Sequence, residues 1–403
     1  MLNRLERVAS ECGDALAIAS ESGSATYAEL VTQARAIQRF LAPGTLAVLA
    51  LPGGPTLTAI EYGVFGAAGI AAPIPDKSTA HEMRAFLGVI RPDVVFVQSC
   101  TAQSAILEAL SEPATVVAAE GDARGSAGQE WWSLADVLAG RARTPAVAKR
   151  PELPLDARMI QFTSGSTSTP KGIVLSAANL LANLDQNAAH LRSYRGGAVF
   201  CPVPQFHAMG GAVVMEHLAF GSAVLVANRF VPGDDLARLV RHRCVGILAS
   251  PNYFKLTAKL GMLDPKRLPD LESFTIGTAA IDRALIADLR SRFPNARIHC
   301  RYGLSEAVGA MTRLDLGPGE TLSDPGNVGP LVEGLHFAPL LRPPGDGDPA
   351  EIKVRGGTVA IGRLLARGTS PHSRLPMGSS PPVISDSKTT QDACIYAGAF
   401  RRS

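Results

Sequence analysis

Between Phe162 and Gly172 the chain reads Phe-Thr-Ser-Gly-Ser-Thr-Ser-Thr-Pro-Lys-Gly. Six hydroxyl side chains (Thr163, Ser164, Ser166, Thr167, Ser168 and Thr169) crowd together with Gly165, Gly172 and Lys171. Hydroxyls and free backbone N–H groups donate to phosphate oxygens, glycine lets the backbone approach closely, and lysine adds a compact positive charge. No Gly-Lys-Ser/Thr triplet closes the run, so it is not a Walker A loop. Alone, such a run is more often a solvated linker. Here an apolar strand precedes it and a helix follows shortly, which favours a nucleotide site.

The flanking sequence predicts elements able to hold such a loop. Apolar residues recur at helical spacing from Ala25 to Leu41, and Thr56–Ala68 also reads as a helix. Thr45–Leu51, Gly69–Ile74, Val94–Gln98 and Thr115–Ala119 are short apolar runs with the character of buried strands. Strands alternating with helices imply a parallel sheet covered on its faces. Arg141–Leu155, rich in Pro, Arg and Lys, reads as a linker. The alternation then resumes: strands at Met159–Phe162, Ala198–Pro202, Ala223–Ala227, Gly246–Ser250 and Arg297–Cys300, helices at Ala177–Leu191 and Ile281–Phe293. Pro and Gly are dense from Gly317 to Pro349, as in turns between short antiparallel strands, one of which is Glu351–Arg355.

The chain has 403 residues, 46% of them hydrophobic and 19% charged, which excludes wholesale disorder. A net charge of +3 (39 basic against 36 acidic residues) and the lack of a basic run argue against nucleic acid as a partner. The most apolar stretches, Ala59–Pro75 and Gly210–Ala227, are broken by Glu61 and by Glu216-His217, so no transmembrane segment is expected. The charged N-terminus does not suit a signal peptide, and the six cysteines form no CxxC pair. A soluble, cytoplasmic protein is the expectation.

The run Phe162–Gly172 resembles the signature loop of the adenylate-forming superfamily, which includes acyl- and aryl-CoA synthetases. Further segments fall in that family's order: Thr26-Tyr-Ala-Glu-Leu30, Pro204-Gln-Phe-His-Ala-Met-Gly210, Gly277-Thr-Ala-Ala280, Tyr302-Gly-Leu-Ser-Glu306, Asn327-Val-Gly-Pro330 and Glu351-Ile-Lys-Val-Arg-Gly356. The resemblance implies an α/β fold: a large N-terminal domain over residues 1–362, made of two βα-layered subdomains and a small distorted β-barrel. It also implies a reaction. A carboxylate and ATP would give an acyl-adenylate and pyrophosphate, and the acyl group would then pass to the thiol of CoA or of a carrier-protein phosphopantetheine. Two anions must meet, so the site must neutralise charge and align the carboxylate with the α-phosphorus.

Roles follow by the same resemblance. Thr163, Ser164, Gly165, Ser166, Thr167, Thr169 and Lys171 would hold the β- and γ-phosphates. Ser305 would donate to the α-phosphate. Glu306 would bind Mg²⁺, a hard cation that takes oxygen ligands. Tyr302 would stack on adenine, with Gly303 and the turn Gly277, Thr278 and Ala279 beside the nucleotide. His207 would flank the substrate carboxylate, although a lone histidine on an apolar segment otherwise reads as packed core. Met209, Gly210, Val213, Tyr253, Gly277 and Thr278 are candidate walls of the acyl pocket. Amino-acid-activating relatives usually carry an Asp where His207 stands, so an acid without an α-amine is expected. Cys300 and Arg301 depart from the amide side chain and Gly that the family commonly has before the tyrosine. No base able to activate Cys300 is visible in the sequence.

Residues 363–403 do not continue the family's pattern, which proceeds to a Thr-Gly-Asp motif and a C-terminal domain carrying a catalytic lysine. By composition they read as an irregular, disordered tail. An alternative reading frame across Leu375–Ser403 permits a stretch containing Thr-Gly-Asp, so a frameshift between residues 363 and 375 is the expectation, to be tested on the DNA. A chain so truncated is expected to adenylate poorly; the alternative is a non-catalytic nucleotide- or acyl-binding remnant.

Overall fold

The computed structural model describes residues 1–99, 104–121, 129–150, 153–163, 170–323, 327–337, 350–365 and 395–400. Two eight-stranded sheets dominate. In the first, the strands run in the order Gly362–Leu364, Lys171–Ser176, Ala157–Thr163, Ile70–Pro73, Leu46–Ala50, Val94–Val97, Thr115–Ala118, Glu130–Ser133. In the second the order is Gly309–Leu316, Arg297–Leu304, Ser273–Ile276, Gly246–Ala249, Ala198–Cys201, Ala223–Val226, Leu16–Ser20, Gly23–Thr26. Central pairings are parallel, as the βα alternation predicts, and antiparallel pairs lie toward one end of each sheet: Ala157–Thr163 with Lys171–Ser176 in the first, Arg297–Leu304 with Gly309–Leu316 in the second.

Between the sheets lie the helices Tyr27–Phe40, Pro55–Gly66 and Ala208–Ala219. Residues 57–65 and 210–219 are all buried. A helix apolar all round belongs in a core rather than on a surface. These two helices come from the apolar stretches that invite a membrane reading, and among the described residues no helix is long and apolar enough to cross a bilayer. Leu49 and Phe96 of the first sheet and Val199 and Val224 of the second face this shared layer. The outer faces carry separate cores. Met83 and Ile106 cover the first sheet, and Leu236, Phe254 and Leu289 cover the second.

The segment expected to be a linker has no helix or strand at 141–150, yet it is firmly held. Arg150 and Asp93 form a bidentate ion pair, both contacts at 2.8 Å, and Asp93 also accepts from the backbone of Leu46 and Ala148. This network ties the linker to the end of a central strand.

Some expectations need amendment. Ala177–Leu191 is two helices, Ala177–Gln186 and Ala188–Arg192. Where a small barrel is expected, the described residues form an open antiparallel sheet of Leu335–Phe337, Ala350–Gly356 and Ile395–Phe400. The tail is therefore not wholly irregular: Ile395–Phe400 pairs with Ala350–Gly356, and Gly362–Leu364 pairs with Lys171–Ser176. Tail residues 366–394 lie outside the described residues.

Candidate active site

In the second sheet the connection from Ala198–Cys201 runs to Ala223–Val226 on one side, and the next strand, Gly246–Ala249, lies on the other. Loops leaving neighbouring strands in opposite directions open a crevice at the carboxyl ends, where ligands bind in open α/β sheets. A cavity of about 510 Å³ occupies this position. Pro202–Pro204, His207, Met209 and Val213 line it after the first of these strands; Ser250, Gly277, Thr278 and residues 303–305 line it after the others.

His207 stands at the mouth, as the N-cap of Ala208–Ala219, with its ring against Phe206 at 4.5 Å between centroids. Partial burial depresses its basicity, which favours the neutral imidazole. Both sheets position its loop. The Gln205 amide donates to Thr58 Oγ1 at 3.0 Å, and its oxygen accepts from Gly54 N. Gln161, on the strand leading into the serine- and threonine-rich loop, donates to the Phe206 carbonyl at 2.6 Å. Gly210 does not line the cavity. It lets the helix dock on the loop, since a Cβ there would overlap the Pro204 carbonyl.

Beneath this loop Glu61 is fully buried, and desolvation pushes its carboxyl up to about 7 against a stabilising contact from Gln205. A raised carboxyl pKa means that the folded chain holds a proton the unfolded chain has released. Stability therefore falls as pH rises from 4.5 to about 7. Glu61→Gln, which keeps the shape and removes the titration, is expected to recover about 3 kcal/mol above that window and nothing below it. Urea denaturation at the two pH values checks this; a difference independent of pH would refute it.

The second group of predicted residues sits on Arg297–Leu304 and the turn after it. Ser305–Ala307 forms a single 3-10 turn ending at Val308, whose backbone is left-handed (φ 50°). The turn packs against both Ala157–Thr163 and Lys171–Ser176, the strands that bracket the serine- and threonine-rich loop. Glu306 O accepts from Ala360 N at 2.8 Å, which fixes the turn from the other side. Tyr302 is half-buried beside the small cluster of Ala307, Met311 and Val354, and burial, with Glu306 nearby, raises its hydroxyl pKa. Thr163 and Lys171 end and begin the two bracketing strands. Ser164, Gly165, Ser166, Thr167 and Thr169 lie outside the described residues.

The remaining predicted positions separate. Gly277 and Thr278 line the cavity, Thr278 with a left-handed backbone (φ 70°), while Ala279 follows in the same turn without lining it. Strained backbone of this kind clusters at functional sites. Tyr253, expected in the acyl pocket, is instead part of the packing on the opposite face of the sheet: its ring meets Phe200, Phe230 and Phe254, and its hydroxyl reaches Asp235 at 3.4 Å. Cys300 is wholly buried, and desolvation pushes its thiol up to about 11, which suits core rather than chemistry.

Two charged residues of the cavity, Glu216 and Arg301, were not among the candidates. Glu216 projects from the central helix and Arg301 from the strand before Tyr302, 3.6 Å apart and both almost entirely buried. Asn183 donates to Glu216 at 2.9 Å. Burial raises the Glu216 carboxyl despite the arginine beside it. The signal for Glu216 was present in the sequence: an acid inside an otherwise apolar stretch.

The donor set fits a magnesium nucleotide. Thr163, Lys171 and Ser305 offer hydroxyl and ammonium donors suited to phosphate, and Glu306 is a hard oxygen ligand of the kind Mg²⁺ takes when it bridges phosphates. Among the described residues no group of three or more His, Cys, Asp or Glu could hold a metal by itself.

Comparison with known proteins gives the family and the fold. Residues 5–363 match the family model for AMP-binding enzymes. The chain is 24% identical over 331 residues to 4-coumarate–CoA ligase-like 5 of Oryza sativa subsp. japonica, covering 79% of this chain and 58% of the relative. With 4-coumarate–CoA ligase 3 of Arabidopsis thaliana it shares 29% over 218 residues, covering 51% of this chain and 38% of the relative. The chain thus spans well under two thirds of the length of these relatives. Its fold is similar to that of a crystal structure of VinN (TM-score 0.72, 22% identity, 92% of this chain and 90% of that one). It is also similar to ATP-bound MatB from Rhodopseudomonas palustris (TM-score 0.69, 23% identity, 91% and 72%). With the family model matched across most of its length, the chain belongs to the AMP-binding enzyme family.

Proposed function

We propose that this chain uses ATP to activate a carboxylic acid other than an α-amino acid. The acid's oxygen attacks the α-phosphorus, the bond to the β-phosphate oxygen breaks, and pyrophosphate leaves. The acyl group of the resulting adenylate then passes to the thiol of CoA or of a carrier-protein phosphopantetheine, releasing AMP. The observation that carries this reading is the packing of the Ser305–Ala307 turn against both strands that bracket the loop, next to a cavity with His207 at its mouth.

In this reading Thr163, the hydroxyl run and Lys171 bind the β- and γ-phosphates, Ser305 donates to the α-phosphate, and Glu306 holds Mg²⁺. Tyr302 and the turn at Gly277–Ala279 take the adenosine. His207, neutral and exposed, flanks the carboxylate without repelling the cation chemistry around it. Met209 and Val213 contribute the apolar wall. A histidine where an amino-acid-activating enzyme needs a carboxylate leaves an α-ammonium group unpaired, which disfavours such substrates.

The test is exchange of labelled pyrophosphate into ATP, driven by a panel of carboxylic acids, with α-amino acids as the contrast. Weak but acid-dependent exchange, above the background without acid, is the expected result. Exchange driven only by amino acids, or ATP turnover indifferent to any acid, would overturn the reading.

A further inference from the structure

Near the edge of the second sheet three imidazoles gather. His190 comes from the short helix Ala188–Arg192, His217 from the central helix Ala208–Ala219 and His299 from the strand Arg297–Leu304. The His190 ring meets His299 at 4.4 Å between centroids and Tyr194 at 5.2 Å, both edge to face, and Tyr194 meets His217 in the same way at 5.1 Å. Tyr194, His217 and His299 are at most 6% exposed. His190 Nε2 and His217 Nδ1 are buried with no hydrogen-bond partner among the described residues.

The charges around this cluster do not welcome a proton. Arg301 and Arg313 stand on the two edge strands. The two carboxylates present already face arginines: Glu216 lies 3.6 Å from Arg301, and Asp315 lies 3.0 Å from Arg313. Asp315 also meets His299 Nδ1 at 2.7 Å, whereas His190 and His217 form no ion pair among the described residues. Burial, followed by Arg301, His299, Arg313 and His217, holds the basicity of His190 far below the usual imidazole value. Burial and Arg301 bring His217 down to about 3, and burial lowers His299 against the pull of Asp315. A charged ring here would be a buried cation beside other cations, so it must reach water to keep its proton. Water is close: Tyr194 and His299 line a cleft of about 680 Å³ at the amino ends of the strands Gly246–Ala249, Ser273–Ile276 and Arg297–Leu304.

We propose that the histidine cluster is an acid-operated lock on this edge. With neutral rings it clamps the helix Ala188–Arg192 to the paired strands Arg297–Leu304 and Gly309–Leu316. With protonated rings it releases them while the first sheet stays folded. An imidazole neutral in the closed form, and free to charge near pH 6.5 once released, takes its proton only on opening. Opening is therefore suppressed above pH 6.5 and favoured progressively below it, by about tenfold per pH unit for each histidine released.

The experiment is amide hydrogen exchange of the full chain at about pH 7.5 and about pH 5.5, read by mass spectrometry and corrected for the intrinsic pH dependence of exchange. Release of His190 alone or of His190 with His299 should speed exchange in residues 188–194 and 297–316 by about ten- to a hundredfold at the lower pH, with residues 46–50 and 94–97 of the first sheet unchanged. His190→Phe keeps a ring against Tyr194 and His299 and removes both the titration and the orphaned nitrogen; it should cut the acid response about tenfold. His190→Gln, neutral and slimmer, should do the same should the larger ring disturb packing. Glu61, whose titration runs the other way, is common to all three proteins and cancels in the comparison. No gain at the lower pH, an equal gain in both sheets, or the wild-type response in a folded variant would overturn the inference.

Discussion

Glu306→Gln is expected to lower acid-dependent pyrophosphate exchange by about a hundredfold, close to 3 kcal/mol of barrier, while leaving the fold intact. The substitution is nearly isosteric, and the turn that carries it is held by backbone: Glu306 O accepts from Ala360 N, and Val308 sets the exit in a left-handed conformation. What changes is the charge. An amide binds Mg²⁺ far less well than a carboxylate does, and in the proposed reaction the metal would offset the repulsion between the acid and the triphosphate. Raising Mg²⁺ should recover part of the loss. Exchange within a few fold of wild type at ordinary Mg²⁺ would remove Glu306 from the metal site and shift attention to carboxylates elsewhere.

Gly303→Ala is expected to destabilise the chain by about 3 kcal/mol, the upper part of the range for overpacking. Gly303 lies opposite Ala310 just past an irregularity in the pairing of Arg297–Leu304 with Gly309–Leu316. A Cβ would overlap the Gly309 carbonyl and come within 3.0 Å of Ala310 Cα. Both obstacles are backbone, so no rotamer change relieves them. The strand would have to separate from its neighbour, moving Tyr302 and Ser305 on either side. The urea midpoint should therefore fall, and nucleotide affinity measured well below that midpoint should fall with it. A variant with the wild-type midpoint would show that the strands do not approach this closely.

Much of this protein was legible one segment at a time. Leu46–Ala50, Val94–Val97 and Thr115–Ala118 are continuous apolar runs, the mark of strands covered on both faces. The helix Tyr27–Phe40 announces itself by its period and by Thr26 and Glu29, which form a reciprocal cap. Short or half-polar strands carry no such signal. Gly23–Thr26 has one buried residue, and Glu130–Ser133 has none, so only their neighbours in the sheet define them.

Local residue order determined the alternation of strands and helices, the family's ordered motifs, and hence the positions at which nucleotide chemistry would be sought. Tertiary structure alone decided which of those side chains share a space. Tyr253 and Met209 look equally apt as pocket walls in the sequence, yet packing sends Tyr253 to the opposite face and Met209 into the cavity. Glu216 and Arg301 are far apart in the chain, and no periodicity relates them. They meet because a central helix and an edge-paired strand close on one crevice, and burying one charge requires the other nearby. Local pattern reports which face of an element is apolar; it does not report what another element brings to that face.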